Sequence, residues 1–466
     1  MEVPARLRRY YDADAAPQQL AARLAEAGHE CYLVGGTVRD ALLDRADVDV
    51  DLTTDARPEV IEAAVRGWAD AVWLQGKRFG TVGAEKDGLR MEITTFRGDV
   101  YRPESRKPEV TYADRIEDDL VRRDFTINAM ALALPEPRLV DPHGGATDLA
   151  DRRLRTPRAP EVSFGDDPLR MLRAARFVAA FGLVPDAELV AAIESMRHRL
   201  EIVSVERIRD ELVRLVTVDD PTLGLWMLCE TGLSDEFLPE LNAMRLEQDP
   251  IHSHKDVLAH TIAVVRNVES RDPLVRLAAL FHDVGKPKTR SFASGGVTFH
   301  HHEVVGARMT EERMRALKFS NEVVEAVTKL VYLHLRIHTY AMGWTDKAVR
   351  RYVRDAGDLL VRLNELQRAD CTTRNLRKAA TLARRMDDLE ARIERLRAEE
   401  ELDAIKPPLD GRQVMEFLGV EPSRVVGEAL DFLLEARLDD GPIPEAEAYE
   451  RLTAWAREQG IEPPGS

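Results

Sequence analysis

Cysteine is scarce in this chain. Cys31, Cys229 and Cys371 are odd in number and far apart. They leave no C-x-x-C metal pair and fit a reducing cytoplasm. No apolar run approaches the roughly 18 residues that a membrane span needs. The opening "MEVPARLRRYYDADAAP" lacks the apolar centre of a secretory signal. The expected location is therefore cytoplasmic, without a membrane partner. Excess positive charge is also missing. Lys and Arg number 66 against 82 Asp and Glu, a net charge of −16, which argues against a globally basic nucleic-acid coat. Locally the balance reverses. Residues 345–385 hold 11 basic and 5 acidic side chains, a patch of +6 that offers RNA a docking face or is simply a solvated charged helix.

What is present suffices for several cores. With 466 residues, 44% of them hydrophobic, the chain has room for two to four domains. Residues 17–28 read as a helix ending at Gly28. "ECYLVGG" reads as a buried strand entering a glycine turn, and "TVRDALL" as a short helix. "DVDVDLTT" and "LRMEITTFR" alternate with period two, as strands do. "RPEVIEAAVRGW" is helical, with Pro58 in its first turn. From about residue 165 the texture turns helical. "DDPLRMLRAARFVAAFG" predicts a helix stopping at Gly182, and Leu389, Ile393 and Leu396 form one stripe of a late packing helix. The expected class is α+β: a mixed α/β head followed by an all-α remainder.

The segment "LVGGTVRDALLDRADVDVDLTT" (33–54) breaks a strand rule, because it puts Asp47, Asp49 and Asp51 at alternate positions where aspartate is depleted. Side chains at i and i+2 share a strand face about 6.6 Å apart. Carboxylates held there repel unless a cation lies between them, and Mg²⁺ prefers such hard oxygen ligands. An exposed edge strand would carry the same charges. The turn before it adds weight. Gly35 and Gly36 allow a phosphate to approach backbone amides, and Arg39 lies one turn on, placed to pair with phosphate oxygens.

Taken together, GG, VRD and DxD within about 17 residues resemble the polymerase-β-like nucleotidyltransferases, specifically the bacterial class II CCA-adding enzymes and poly(A) polymerases. The resemblance selects Asp49 and Asp51 as catalytic Mg²⁺ ligands, leaves Asp47 without a role, and makes Glu92 in "LRMEITTFR" the candidate third carboxylate. It places Gly35, Gly36, Arg39 and Asp40 around the nucleotide. "RRDFTINAMAL" (122–132) resembles the ribose-binding motif and implicates Arg123, Asp124 and Asn128. "DPHGGATDL" (141–149) resembles the head-to-neck turn. "DDPLRMLRAARF" (166–177) resembles the EDxxR motif that templates the incoming base, with Asp167, Arg170, Arg173 and Arg176 carried over and Asp166 in place of the usual Glu. Asp167, Arg170 and Arg173 recur every three residues, as along one side of a helix.

Between residues 251 and 302 stand seven histidines: His252, His254, His260, His282, His300, His301 and His302. The doublet His282-Asp283 in "LAALFHDVGKPKT", with a distant His and Asp, can bind a divalent transition metal. The pattern resembles the HD phosphohydrolase domain, which by match implies His260, His282, Asp283 and Asp370 as ligands, with His302 and His334 as further ones. Mutual pairing of buried His and Asp is the competing reading.

These resemblances imply a nucleotidyltransferase head (1–155), a helical neck binding base and RNA (156–250), an HD domain (251–380) and a helical tail contacting tRNA (381–466). They imply tRNA, CTP and ATP as partners, and no DNA. The implied activity is template-independent addition of C, C and A to tRNA with release of pyrophosphate by a two-metal mechanism. Poly(A) addition is the alternative within the class, and an HD hydrolase or RNA-binding regulator with an inactive head the alternative outside it. "GKRFGTV" (76–82) and the filled segment 97–112 favour CCA addition, although Glu104 stands where the family more often has Asp.

Overall fold

Seven strand-forming segments in the first 140 residues build one sheet, because their alternate apolar residues need covering layers. In the computed structural model the described residues are 3–45, 49–98, 100–102, 105–109, 112–246, 256–293, 296–337, 344–372, 376–400 and 406–462. Asp47, Glu104, His252, His254 and most of the segment 97–112 lie outside them or have undescribed side chains. The strands are β1 (Cys31–Val34), β2 (Asp49–Thr54), β3 (Ala71–Trp73), β4 (Thr81–Lys86), β5 (Leu89–Thr95), β6 (Val100–Arg102), β7 (Ser105–Glu109), β8 (Ala131–Leu134) and β9 (Arg138–Val140). Seven of them form a sheet in the order β3-β4-β5-β2-β1-β8-β9, while β6 and β7 pair as a separate hairpin. Only β2 and β5 run parallel among the sheet neighbours.

The two faces of the sheet are covered unequally. One face is fully buried: Leu33, Val50, Leu52, Val82, Ala84, Met91 and Ile93 pack there with Leu20 and Leu24 of the helix Ala16–Glu26 and Ile61 of Pro58–Val65. On the other face a smaller cluster of Tyr32, Val34, Phe96, Ile116, Leu120 and Ala131 covers the β1/β8 half. β2 alternates accordingly, with Asp49 and Asp51 exposed and Val50 and Leu52 buried.

The remainder is helical, as the sequence leads one to expect. Chain contacts divide the molecule into two compact units, residues 1–243 with 316–318, and residues 244–315 with 319–466. In the first unit the helix Leu169–Phe181 ends on left-handed Gly182. It receives the helix Thr222–Glu230 so closely that a Cβ on Gly224 would lie 2.5 Å from the Ala175 carbonyl oxygen. One expectation fails here. Asp167 is not part of the helix that carries Arg170 and Arg173; it stands in extended backbone between the helices Pro160–Asp166 and Leu169–Phe181, because the residue before Pro168 is disfavoured in helical geometry.

In the second unit the helix Leu376–Glu400 buries Met386, Leu389, Ile393 and Leu396, the expected stripe. The last helices form their own core around Leu418, Leu433, Leu452 and Trp455. Five residues of the basic patch pair with this unit's own acids. Arg351 and Arg354 pair with Glu435, Lys347 with Asp439, Arg362 with Asp272, and Arg368 with Asp387 and Glu390. No helix among the described residues is long and apolar enough to cross a membrane.

Candidate active site

Register turns the alternating aspartates into a surface. Asp51 lies directly opposite Glu92 across the parallel β2–β5 pair, and Asp49 opposite Arg90. Continuing onto β4, Glu92 faces Gly83 and Thr94 faces Thr81. The open face therefore carries rows of Asp49–Arg90–Glu85, Asp51–Glu92–Gly83 and Thr53–Thr94–Thr81. All three predicted catalytic carboxylates are exposed on it. Their oxygens do not form a trio within 4.8 Å of one another, as expected of like charges extended into solvent. Hard oxygen donors without nitrogen or sulfur suit Mg²⁺. The backbone N–H of Asp51 donates to Thr37 Oγ1 at 3.0 Å, which ties the strand to the helix Gly36–Leu42 following the glycine turn.

A cavity of about 280 Å³ opens on this face, lined by Asp51, Thr53, Thr81, Glu92 and Thr94 of the sheet and by Arg97, Asp119, Arg122 and Arg123. The lining combines anionic and cationic groups, which suits a metal-bound polyphosphate. Asp119 organises the cationic wall: it is buried and accepts from Arg122 at 2.5 Å and Arg123 at 2.9 Å. Burial pushes its pKa up, but Arg123 and Arg122 outweigh burial and hold it below the usual carboxylate range. The sequence reading missed Asp119, Arg122 and Arg97. Asp119 was legible, since it precedes Arg122 by three and Arg123 by four on a helical turn.

The glycine turn differs from the expectation of an open phosphate cradle. Gly35 has φ +65°, and a Cβ there would lie 2.6 Å from Arg123 Nη1, so the Arg123 guanidinium covers the turn. Gly36 begins the helix beside the Arg39 guanidinium. Arg39 is buried, donates to Asp40 at 2.8 and 2.7 Å and to Asn128 Oδ1 at 2.6 Å, and stacks on Phe181 with its centre 4.5 Å from the ring centroid. Its guanidinium faces Asp40 and Asn128, which makes Arg39 a positioning residue here.

From Arg39 a polar chain runs inward. Asn128 Nδ2 donates to Asp124 at 2.9 Å, the Phe125 N–H donates to Asp124 at 2.8 Å, and Arg173 Nε donates to the other Asp124 oxygen at 2.8 Å. Burial raises the Asp124 pKa, yet the Arg173 charge and the Asn128 hydrogen bond leave it well below the ordinary carboxylate value. Arg176 donates to buried Glu211 at 2.7 Å. Asp167 is paired with Arg207 at 2.7 Å. Arg170, buried, donates to Ser163 Oγ at 2.8 Å and to the Arg122 carbonyl at 2.5 Å. Arg207 and Glu211 both lie within "SVERIRDEL" (204–212).

The second unit gathers all six predicted HD residues. His260 Nε2 lies 3.0 Å from Asp370 and 3.5 Å from Asp283; His282 Nε2 lies 3.3 Å, His302 Nε2 3.4 Å and His334 Nε2 4.0 Å from Asp283. Their opposite nitrogens explain this convergence. Nδ1 of His282, His302 and His334 sits 2.8, 2.8 and 2.6 Å from the carbonyls of Ala279, Phe299 and Val331. A carbonyl only accepts, so each Nδ1 carries a proton and each Nε2 is turned inward. Two trios, His260–His282–Asp283 and Asp283–His302–His334, have donor atoms within 4.8 Å of one another. Nε2 of His302 and of His334 is buried without a hydrogen-bond partner, and the imidazole-carboxylate set fits a divalent transition metal. Burial and the neighbouring His282 charge push the His334 pKa down to about 3, which keeps it neutral and ligand-competent. Burial pulls His282 down, but Asp283 outweighs it and leaves His282 raised. Lys286 Nζ, 2.6 Å from Asp283, supplies a further cation. A Cβ on Gly285 would strike the His302 carbonyl oxygen at 2.2 Å, so that glycine permits the approach that brings His302 to Asp283.

Three family models match the chain: the poly A polymerase head domain over residues 31–155, a probable RNA- and SrmB-binding site of polymerase A over 182–245, and the HD domain over 256–393. An A-adding tRNA nucleotidyltransferase of Deinococcus radiodurans is 36% identical over 444 residues, 91% of this chain and 95% of that protein. A CCA-adding enzyme of Bacillus pumilus is 38% identical over 225 residues, 48% of this chain and 55% of that protein. Among solved structures, the Bacillus stearothermophilus CCA-adding enzyme in complex with CTP superposes with a TM-score of 0.68 at 24% identity, covering 98% of this chain and 99% of that one.

Proposed function

The chain belongs to the family of tRNA nucleotidyltransferases and poly(A) polymerases and is a tRNA nucleotidyltransferase, and from that premise we propose that it adds C, C and A to tRNA 3′ ends from CTP and ATP. The observation that carries the chemistry is the row of Asp51 and Glu92, with Asp49 beside it, lining one cavity together with Arg97, Arg122 and Arg123. In this reading Asp49, Asp51 and Glu92 hold Mg²⁺, which when bound activates the attacking 3′-hydroxyl and neutralises the departing pyrophosphate. Thr37 fixes the backbone from which Asp51 projects. Arg122 and Arg123, oriented by Asp119, receive the nucleotide phosphates. Asp124 and Asn128 orient the ribose, and Arg39 holds Asn128 in place. Asp167 and Arg170 present an acceptor and a donor fork to the base edge, exchanging their present partners for the nucleotide. The division into head, neck, HD body and tail is proposed with these roles.

A second reading has one specific support. The relative matched over nearly the whole chain is named as A-adding, so addition of the terminal A alone competes with full CCA addition. Purified protein given Mg²⁺, labelled CTP or ATP, and tRNAs lacking either A or the whole CCA end separates the readings. Ordered C, C and A addition supports the first. Incorporation of A only, on tRNA ending in CC, supports the second. A long A-tail means poly(A) polymerase, and no incorporation overturns them all.

For the other unit we propose an accessory phosphohydrolase. His260, His282, Asp283, His302, His334 and Asp370 would hold a divalent transition metal, which would supply Lewis acidity for phosphate-ester hydrolysis.

A further inference from the structure

Beside the carboxylate cavity lies a surface that none of these roles uses. The short turn Lys77–Phe79 precedes β4, and Phe79 is 48% exposed although it is a large apolar ring. Tyr112, 37% exposed, lies next to it. Gly80 adopts φ +84°, and a Cβ there would come 3.2 Å from Tyr112 Cε1, so the tyrosine edge rests on the residue following Phe79. Both rings carry a guanidinium on one face: Arg78 sits 4.5 Å from the Phe79 centroid and Arg57 4.2 Å from that of Tyr112. The surface joins the cavity directly. Arg97, which lines the cavity, donates to the Phe79 carbonyl. Thr81, two residues after Phe79, lines it as well, and its hydroxyl lies 3.0 Å from that of Thr94.

Two adjacent exposed aromatics backed by arginines are the chemistry of a base-stacking surface for single-stranded nucleic acid, because every base offers a π-face and the guanidiniums attract the phosphates. The chain as a whole, at −16, repels a polynucleotide, so the cations must stand where the strand passes. An apolar peptide would be poorly matched by a rim of guanidiniums.

We propose that Phe79 and Tyr112, with Arg78 and Arg57, form a stacking platform that holds the unpaired 3′-terminal bases of the acceptor RNA at the rim of the cavity. The proposal rests on the reading that this cavity extends an RNA 3′ end. Phe79 and Tyr112 act as positioning residues: they seat the strand and leave the chemistry to the carboxylates.

The test uses the full-length protein and a tRNA lacking its terminal A, with 2-aminopurine as its 3′-terminal base, whose fluorescence falls on stacking. Without nucleotide, wild type should quench it, and Phe79→Ala and Tyr112→Ala should lose most of the quench. Phe79→Trp should retain it, whereas Phe79→Leu should not. In incorporation assays Phe79→Ala should raise KM for tRNA about tenfold, the loss of roughly one stacked base, with a much smaller change in KM for ATP. Equal quenching by wild type and both alanine variants overturns the platform. Full rescue by Phe79→Leu also overturns it, because it would indicate a nonspecific apolar contact. Quenching needs no catalysis, so a wild type that quenches but incorporates nothing refutes the proposed activity and leaves the platform standing.

Discussion

Asp124 shows how one residue can be both framework and site. It is buried, paired with Arg173 and held by Asn128, and breaking such a pair costs about 3–5 kcal/mol. Its folded pKa lies below the unfolded value of about 3.9, so its contribution is complete above that value and is lost as pH falls through the folded pKa. Asp124→Asn should therefore lower the thermal midpoint at pH 7 by a margin that stays level down to about pH 5 and narrows below about pH 4; calorimetry across that range checks it. The carboxylates proposed to hold Mg²⁺ behave differently because they are exposed and stabilise little. Asp49→Ala or Asp51→Ala should cut nucleotide incorporation by at least about 10³-fold, since several kcal/mol of charge stabilisation disappear, while circular dichroism and the thermal midpoint stay near wild type. Retained activity in either variant would remove that residue from the metal site.

Among the elements, the turn that leaves the sheet matters more than its length suggests. A Cβ on Gly145 would fall 2.0 Å from the Thr126 carbonyl oxygen, and Thr126 Oγ1 donates to Asp148 at 2.6 Å. The "DPHGGATDL" segment thus clamps the turn Thr126–Asn128 from which Asn128 reaches Asp124 and Arg39. Overpacking of this kind costs about 1–3 kcal/mol. Gly145→Ala should lower the thermal midpoint and raise KM for nucleotide together, measured on the same preparation. A lowered midpoint with unaltered KM would mean that the clamp serves folding alone. Sequence periodicity reads these elements well: β2 alternates as its residues demand, and the Leu389–Ile393–Leu396 stripe is buried. It misplaces Asp167, because a three-residue spacing cannot reveal that Pro168 interrupts the helix between Asp167 and Arg170.

Across the whole molecule, two chemistries occupy two compact units. The carboxylate cavity belongs to residues 1–243 and the histidine cluster to the unit of residues 244–315 and 319–466. His282→Ala should therefore leave nucleotide incorporation within about twofold of wild type, as expected for a site that shares no partners with the carboxylates. The same change should abolish metal-dependent hydrolysis of a phosphate ester such as p-nitrophenyl phosphate. A phosphatase activity that survives the substitution excludes this cluster as its source. Chelation followed by metal return should restore hydrolysis in wild type only.

The motifs by themselves determined the family and the α+β class and singled out the carboxylates and histidines as candidates, because spacing along one strand or helix end is a local property of the chain. Tertiary structure decided what those residues face. Only sheet register sets Glu92 opposite Asp51, and only the packed helices give Arg39 to Asn128 and Arg207 to Asp167. Within the basic stretch 345–385, Lys347, Arg351 and Arg354 pair with Glu435 and Asp439, acids far along the chain. Such partners are separated by tens of residues in sequence and meet only after folding, which is why charge counted along the chain left an RNA-docking face and a solvated charged helix both open.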